Sequence, residues 1–171
     1  MNKPSIKLVY ASLFLALGMV LPMLTSHIKE IGDSLLPMHF AVMMCGLICG
    51  WKYGLAVGFI LPYLRAIIFN MPPLYPNAIW MSLELATYGL VIGALYSKLP
   101  KGKLHSIYIS LISSMICGRI VWGIAKSVIL GFAGKSFTIY MFIAQGVTDA
   151  IPGIVIQLII IPFIIKTVID R

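Results

Sequence analysis

Apolar residues gather along this chain in six long runs, at about 6–24, 37–50, 54–69, 78–95, 106–132 and 138–165. A helix that crosses lipid needs roughly 20 such residues, so the runs predict six transmembrane helices, of which 37–50 is short for a full crossing. The breaks are brief. A polar segment at 25–34 follows the first run, and Trp51-Lys52-Tyr53 predicts a tight turn. The stretch 70–77, Asn-Met-Pro-Pro-Leu-Tyr-Pro-Asn, cannot be helical throughout, because proline lacks a donor and restricts the residue before it. A basic loop covers 98–105, and Gly134-Lys135-Ser136 separates the last two runs.

Composition agrees with lipid as the solvent. The 171 residues are 60% hydrophobic and 11% charged, whereas soluble domains carry about a quarter charged residues. Mean hydropathy is +1.01. The expectation is an all-α integral membrane protein, one membrane domain over 1–171, with no soluble domain left to hold the function. Lys3 and Lys7 lead into an apolar stretch that lacks a small-x-small cleavage site, which predicts a retained helix and not a signal peptide. A net charge of +8 could suggest nucleic acid, but the basic residues sit mostly at helix ends, where they set topology. With the N-terminus inside, the inner side carries Lys3, Lys7, Lys52, Lys98, Lys101, Lys103, Lys166 and Arg171, and the outer loops only Lys29 and Lys135. Both termini are thus expected to be cytoplasmic, with 25–34 and 70–77 outside.

Small residues mark close packing. Gly46, Gly50, Gly54 and Gly58 recur every fourth residue, and Gly89 and Gly93 repeat the spacing, which lets helix backbones approach. Ser12 and Ala16 form a small-xxx-small pair on an otherwise bulky helix, open to internal packing or to docking another membrane protein. Cys45 and Cys49 share a helix face and, with Cys117, lie inside apolar runs, which reads as packing and not metal or redox chemistry.

Charges in hydrocarbon cost roughly 2.5 kcal/mol or more each on insertion scales and call for a reason. They are Arg65, Glu84, Arg119, Lys126 and Asp149, accompanied by His39, Gln145 and Gln157. At about 1.5 Å per residue, Arg65 lies about 6 Å from the outer helix ends, Glu84 and Lys126 about 9 Å, and Arg119 and Asp149 about 17–20 Å. Apart from Gln157, the set lies from the midplane outward, as a cavity open to the exterior requires. Helical spacing puts Arg119, Trp122 and Lys126 on one face, Asn77, Trp80, Glu84 and Tyr88 on another, and Gln145 with Asp149 on a third. Polar groups interleaved with aromatics suit a small polar ring or amide-bearing solute. The alternative is that Glu84 with Lys126, and Asp149 with Arg119, are buried ion pairs that only fix helix register. Arg65 has no acid at its depth, so an anionic solute group would suit it. His39 could be a hydrogen-bonded rim residue, and Trp80 an interface anchor. No HExxH, GxSxG or Cys–His set points to catalysis. A stand-alone channel or ion-coupled carrier would put ionisable groups on both sides of the midplane, and a structural subunit would only pair its charges.

The chain resembles the substrate-binding S component of energy-coupling factor (ECF) vitamin transporters. The likeness covers size, six spans, basic inner loops and, most specifically, the glycine-rich hairpin from Gly46 to Gly58, although Trp51 stands where the family often has proline. Ser12-xxx-Ala16 is similar to the family's Ala-xxx-Ala docking motif in the first span. The resemblance implies an outward-facing vitamin pocket, a lid at 25–36, and partnership in the cell membrane with a membrane coupling subunit and two cytoplasmic ATPases. Those partners would use the ATP, since this chain has no GxxxxGK[ST]. The segments His39-Phe40-Ala41-Val42, Met71-Pro72-Pro73 and Glu84 through Gly89 are similar to pantothenate-type members. Pantothenate would suit Arg65, Gln145 and Asn77. A vitamin B6 form or thiamine-related pyrimidine would instead use Glu84, with Trp80, Tyr88 or Trp122 stacking.

Overall fold

Long apolar segments satisfy their backbone within themselves as helices, because lipid offers no hydrogen-bond partner. In a computed structural model, which describes residues 3–25 and 36–169, the elements are accordingly helical. They are α1 (Pro4–Thr25), α2 (Pro37–Cys49), α3 (Trp51–Phe69), α4 (Ile79–Lys98), α5 (Leu104–Phe132), the short α6 (Ile139–Ile143) and α7 (Ile151–Ile169). A kinked turn at Leu74–Ala78, in which Tyr75 is extended, precedes α4, and a single π-helical turn at Ala144–Thr148 follows α6. The expected lid, 25–36, lies outside the described residues except at its two ends.

Among the described residues, four segments are long and apolar enough to cross a membrane: α1, α3, α4 with the kinked turn that leads into it, and α5. The α6–α7 pair makes a fifth, bent by 41°. The sequence predicted one continuous helix over 138–165, and Pro152 explains the difference. It cannot donate to the preceding turn, so it sits in the first turn of a new helix, where that donor is not needed. The remaining apolar helix, α2, has 13 residues, about 20 Å of rise. It is buried along nearly all its length against α1, α3 and α4, so its neighbours and not lipid set its length.

The predicted turn at Trp51-Lys52-Tyr53 is instead the first turn of α3, and Gly50 alone makes the reversal, at φ 95° and ψ 171°. Only glycine enters that region without strain. The hairpin brings α2 and α3 onto α4 through the predicted glycine seam. A Cβ added at Gly54 would fall 2.7 Å from the Gly89 carbonyl oxygen, and one at Gly46 2.8 Å from the same atom. Such backbone proximity puts α4 against α2, α3 and α5, while α7 touches only α2 and α5 substantially. The core between them holds Met43, Cys45, Cys49, Leu61, Leu85, Ile92, Leu111 and Ile161.

The two ends of the bundle differ. Tyr53 donates to the Pro4 carbonyl at 3.3 Å, and Gly93 abuts the Trp51 backbone. The start of α1, the α2–α3 reversal and the end of α4 therefore share one end, which gathers Lys3, Lys7, Lys52 and Lys98. The opposite end carries the chain turns around Pro72 and Asn77.

Gly89→Ala should lower the thermal unfolding midpoint in detergent, by a cost near the upper end of the roughly 1–3 kcal/mol seen for overpacking. Gly131→Ala, where an added Cβ meets nothing within 4 Å, should leave it unchanged. Equal midpoints for the two variants would contradict the seam.

Candidate solute-binding site

Glu84 stands on the inner face of α4 and is 2% exposed. A carboxylate so placed must find countercharge and donors within the protein. Three groups converge on its Oε1. Arg119 Nη1 from α5 lies at 2.9 Å, His39 Nε2 from α2 at 3.3 Å, and Tyr88, one turn along α4, donates its hydroxyl at 3.4 Å. The imidazole meets the Tyr88 ring edge-on, with centroids 5.1 Å apart. Sequence depth paired Glu84 with Lys126 and Asp149 with Arg119, and the packing differs. Glu84 takes Arg119, on the α5 face where Gly118 abuts the Tyr88 ring of α4. Asp149 is exposed at the break between the π turn and α7, with no ion pair among the described residues.

Beyond His39 lies a cavity of about 340 Å³ at the end of the bundle away from the lysines. His39, Arg65 and Asn77 supply its polar wall, and Pro22, Leu36, Pro37, Met38, Met71, Pro72, Pro73 and Met81 its apolar one. That volume lies at the lower end of small-molecule sites. Arg65 is buried. Its Nη1 donates to the Met19 carbonyl of α1, and its guanidinium lies 5.4 Å from the Phe69 ring centroid. Arg65 Nε and His39 Nδ1 are buried without a hydrogen-bond partner among the described residues.

On the other side of Glu84, a second polar group runs toward the surface. The Arg119 guanidinium lies 5.8 Å from the Trp122 ring centroid. Next along α5, the Lys126 ammonium sits among three rings, 4.7 Å from Trp122, 5.1 Å from Trp80 and 5.5 Å from Phe137. It donates to Oε1 of Gln145, on the exposed π turn. Trp80 thus faces inward over a cation and is 7% exposed, not an anchor in lipid. Neither Arg65 nor Lys126 has a carboxylate within ion-pair distance among the described residues.

The eleven residues singled out in the sequence therefore divide into three places. His39, Arg65 and Asn77 line the cavity; Glu84, Tyr88 and Arg119 form the buried centre that His39 joins; Trp80, Trp122, Lys126 and Gln145 form the aromatic cluster, with Asp149 apart. Sequence reading missed Phe137, which completes the cluster, and the Met19 carbonyl that holds Arg65. Nothing in residue type marks a backbone carbonyl, and Phe137 fell just outside a predicted span. Gln157 is structural: its Nε2 donates to the Leu36 carbonyl at 3.2 Å and ties α7 to the start of α2. Ser12 and Ala16 are both exposed on α1, whose Ala11, Phe14 and Gly18 face the bundle.

These features define a multi-pass helical membrane protein whose polar chemistry is concentrated inside the bundle. The family model described as "ECF transporter, substrate-specific component" matches residues 6–165, and the chain belongs to that family. No curated protein and no solved structure matches it at a significant level.

Removing one member of a buried pair strands the other charge, at a cost of about 3–5 kcal/mol, whereas replacing both by apolar groups is often tolerated. Arg119→Met alone should therefore lower stability in detergent more than Glu84→Met combined with Arg119→Met. Additive losses in that double-mutant cycle would argue against the pair.

Proposed function

We propose that this chain captures a small water-soluble vitamin, with pantothenate as the lead assignment, at the outer face of the cell membrane for ATP-driven uptake. The observation that carries this reading is the cavity with a buried Arg65 lacking a carboxylate partner among the described residues. Its position opposite the lysine-rich end favours an outward opening, with both termini cytoplasmic and six crossings, α2 included. Pantothenate brings a carboxylate for Arg65 and an amide and hydroxyls for Asn77 and His39. Lys126 and Gln145, beside Trp80 and Trp122, offer further contacts where the π turn opens to the surface. A vitamin B6 or thiamine-related ring would set a nitrogen against Glu84, whose Oε1 already faces three protein groups. A stand-alone ion-coupled carrier fits less well with polar groups concentrated toward one end.

Membership of the family brings the expected partners, a membrane coupling subunit and two cytoplasmic ATPases that hydrolyse the ATP. Ser12 and Ala16, small and exposed on α1, are the proposed docking contact for the coupling subunit.

Mass spectrometry of the small molecule retained by purified protein identifies the solute directly. Arg65→Ala should lower retention at least tenfold, about 1.4 kcal/mol, while the protein still elutes as a folded species. Unchanged retention would remove the cavity from the proposal. Ser12→Leu should impair uptake in cells while binding persists; loss of binding with an intact complex would show that the docking assignment is wrong.

A further inference from the structure

We propose that the groove between α5 and the 137–142 segment seats an acyl chain of an anionic phospholipid, with Lys135 taking the charge of its headgroup. The site is separate from the cavity beside Arg65 and does not depend on which solute the protein takes.

The groove has a volume of about 410 Å³. One wall is Ile120, Ile124 and Val128, which share a face of α5, and the other is built on Phe137 and Phe142. Its polar side chains are Ser127 and Thr138. The walls are fixed from behind. Gly123 admits the Phe142 ring, since a Cβ there would fall 2.4 Å from it. Trp122 meets Phe137 and Phe142 with ring centroids 5.9 and 6.0 Å apart. A chain entering a fixed groove gains packing without having to order the protein. Packing is the main attraction left where lipid tails and side chains are equally apolar.

The occupant follows from where the groove lies. Ile120, Ile124 and Val128 are exposed on a helix long and apolar enough to cross the membrane, so acyl chains are what meets them. With 29 residues, α5 is about 44 Å long, close to the thickness of a bilayer with its headgroups. A span of that length reaches headgroup level at both ends. Lys135 stands just past one of them, exposed, in the connection that joins the two walls. Its backbone N–H is held by the Leu130 carbonyl at 2.9 Å. It has no carboxylate within ion-pair distance among the described residues. The groove alone would take any chain; a lysine at its end selects an anionic headgroup, by about fivefold.

Brominated lipids quench the tryptophans they approach, which tests the site in a bilayer. Ile139 lines the groove and is 76% exposed, so Ile139→Trp places a reporter there. Ile67 on α3 is 69% exposed, and Ile67→Trp reports on lipid elsewhere. Each is reconstituted in vesicles mixing phosphatidylglycerol and phosphatidylcholine, with one or the other brominated, and the wild-type signal is subtracted. Ile139→Trp should show about fivefold preference for phosphatidylglycerol, and Ile67→Trp a ratio near one. Adding Lys135→Gln to Ile139→Trp should bring its ratio near one. Adding Ser127→Leu instead, which fills the groove and keeps the lysine, should do the same. No preference at Ile139→Trp, an equal preference at Ile67→Trp, or a preference that survives Lys135→Gln would overturn the proposal. A preference that survives Ser127→Leu would overturn the seated chain, leaving only a charge effect at Lys135.

Discussion

A carboxylate inside a bundle that faces lipid cannot draw on water, so its countercharge must come from another helix. Glu84 takes Arg119 at 2.9 Å, and that contact makes the polar interior self-consistent. It joins α4 to α5, and through His39 it joins both to α2. Helices that could otherwise slide along apolar faces acquire one register, because a shift of one residue would strand charges on both sides. The pair is also what leaves Arg65 and Lys126 without carboxylates among the described residues. The excess positive charge near the cavity and the aromatic cluster is thus a consequence of where Glu84, the one buried acid among the described residues, is committed.

Such a register is reachable only because the backbones come close. The seam of Gly46, Gly54 and Gly89 lets α4 lie directly on the α2–α3 hairpin. That in turn makes room for a short α2 wrapped in protein, with His39 in its first turn beneath the cavity. Packing and chemistry are coupled here: a side chain at Gly89 would push away the helix that carries Glu84.

The two polar regions on either side of Glu84 differ in kind. The cavity is walled by short loops and helix ends, with Arg65 held from behind by a carbonyl of α1. The second region presents Lys126 against three aromatic rings, a cation stabilised by ring faces with no carboxylate within ion-pair distance among the described residues. It opens at a π turn, a form that interrupts regular helices often at functional positions. The chain belongs to the ECF substrate-specific family, and under the uptake reading proposed above both regions would serve the solute.

Hydropathy alone indicated lipid as the solvent and helices as the class, because a long continuous apolar run satisfies its backbone within itself as a helix. It also exposed the glycine seam and every charged member of the interior, since a charge in an apolar run stands out at once. Partnership was not legible. Depth measured along separate helices matched Glu84 with Lys126, but one helix's angle and offset against another depend on side-chain volumes at the crossing, and these put Arg119 there instead. The break before Pro152 and the carbonyl that holds Arg65 were likewise decided only in three dimensions. Sequence reports which groups must be satisfied; the contacts between helices decide by whom, because a few ångströms of axial offset change every neighbour.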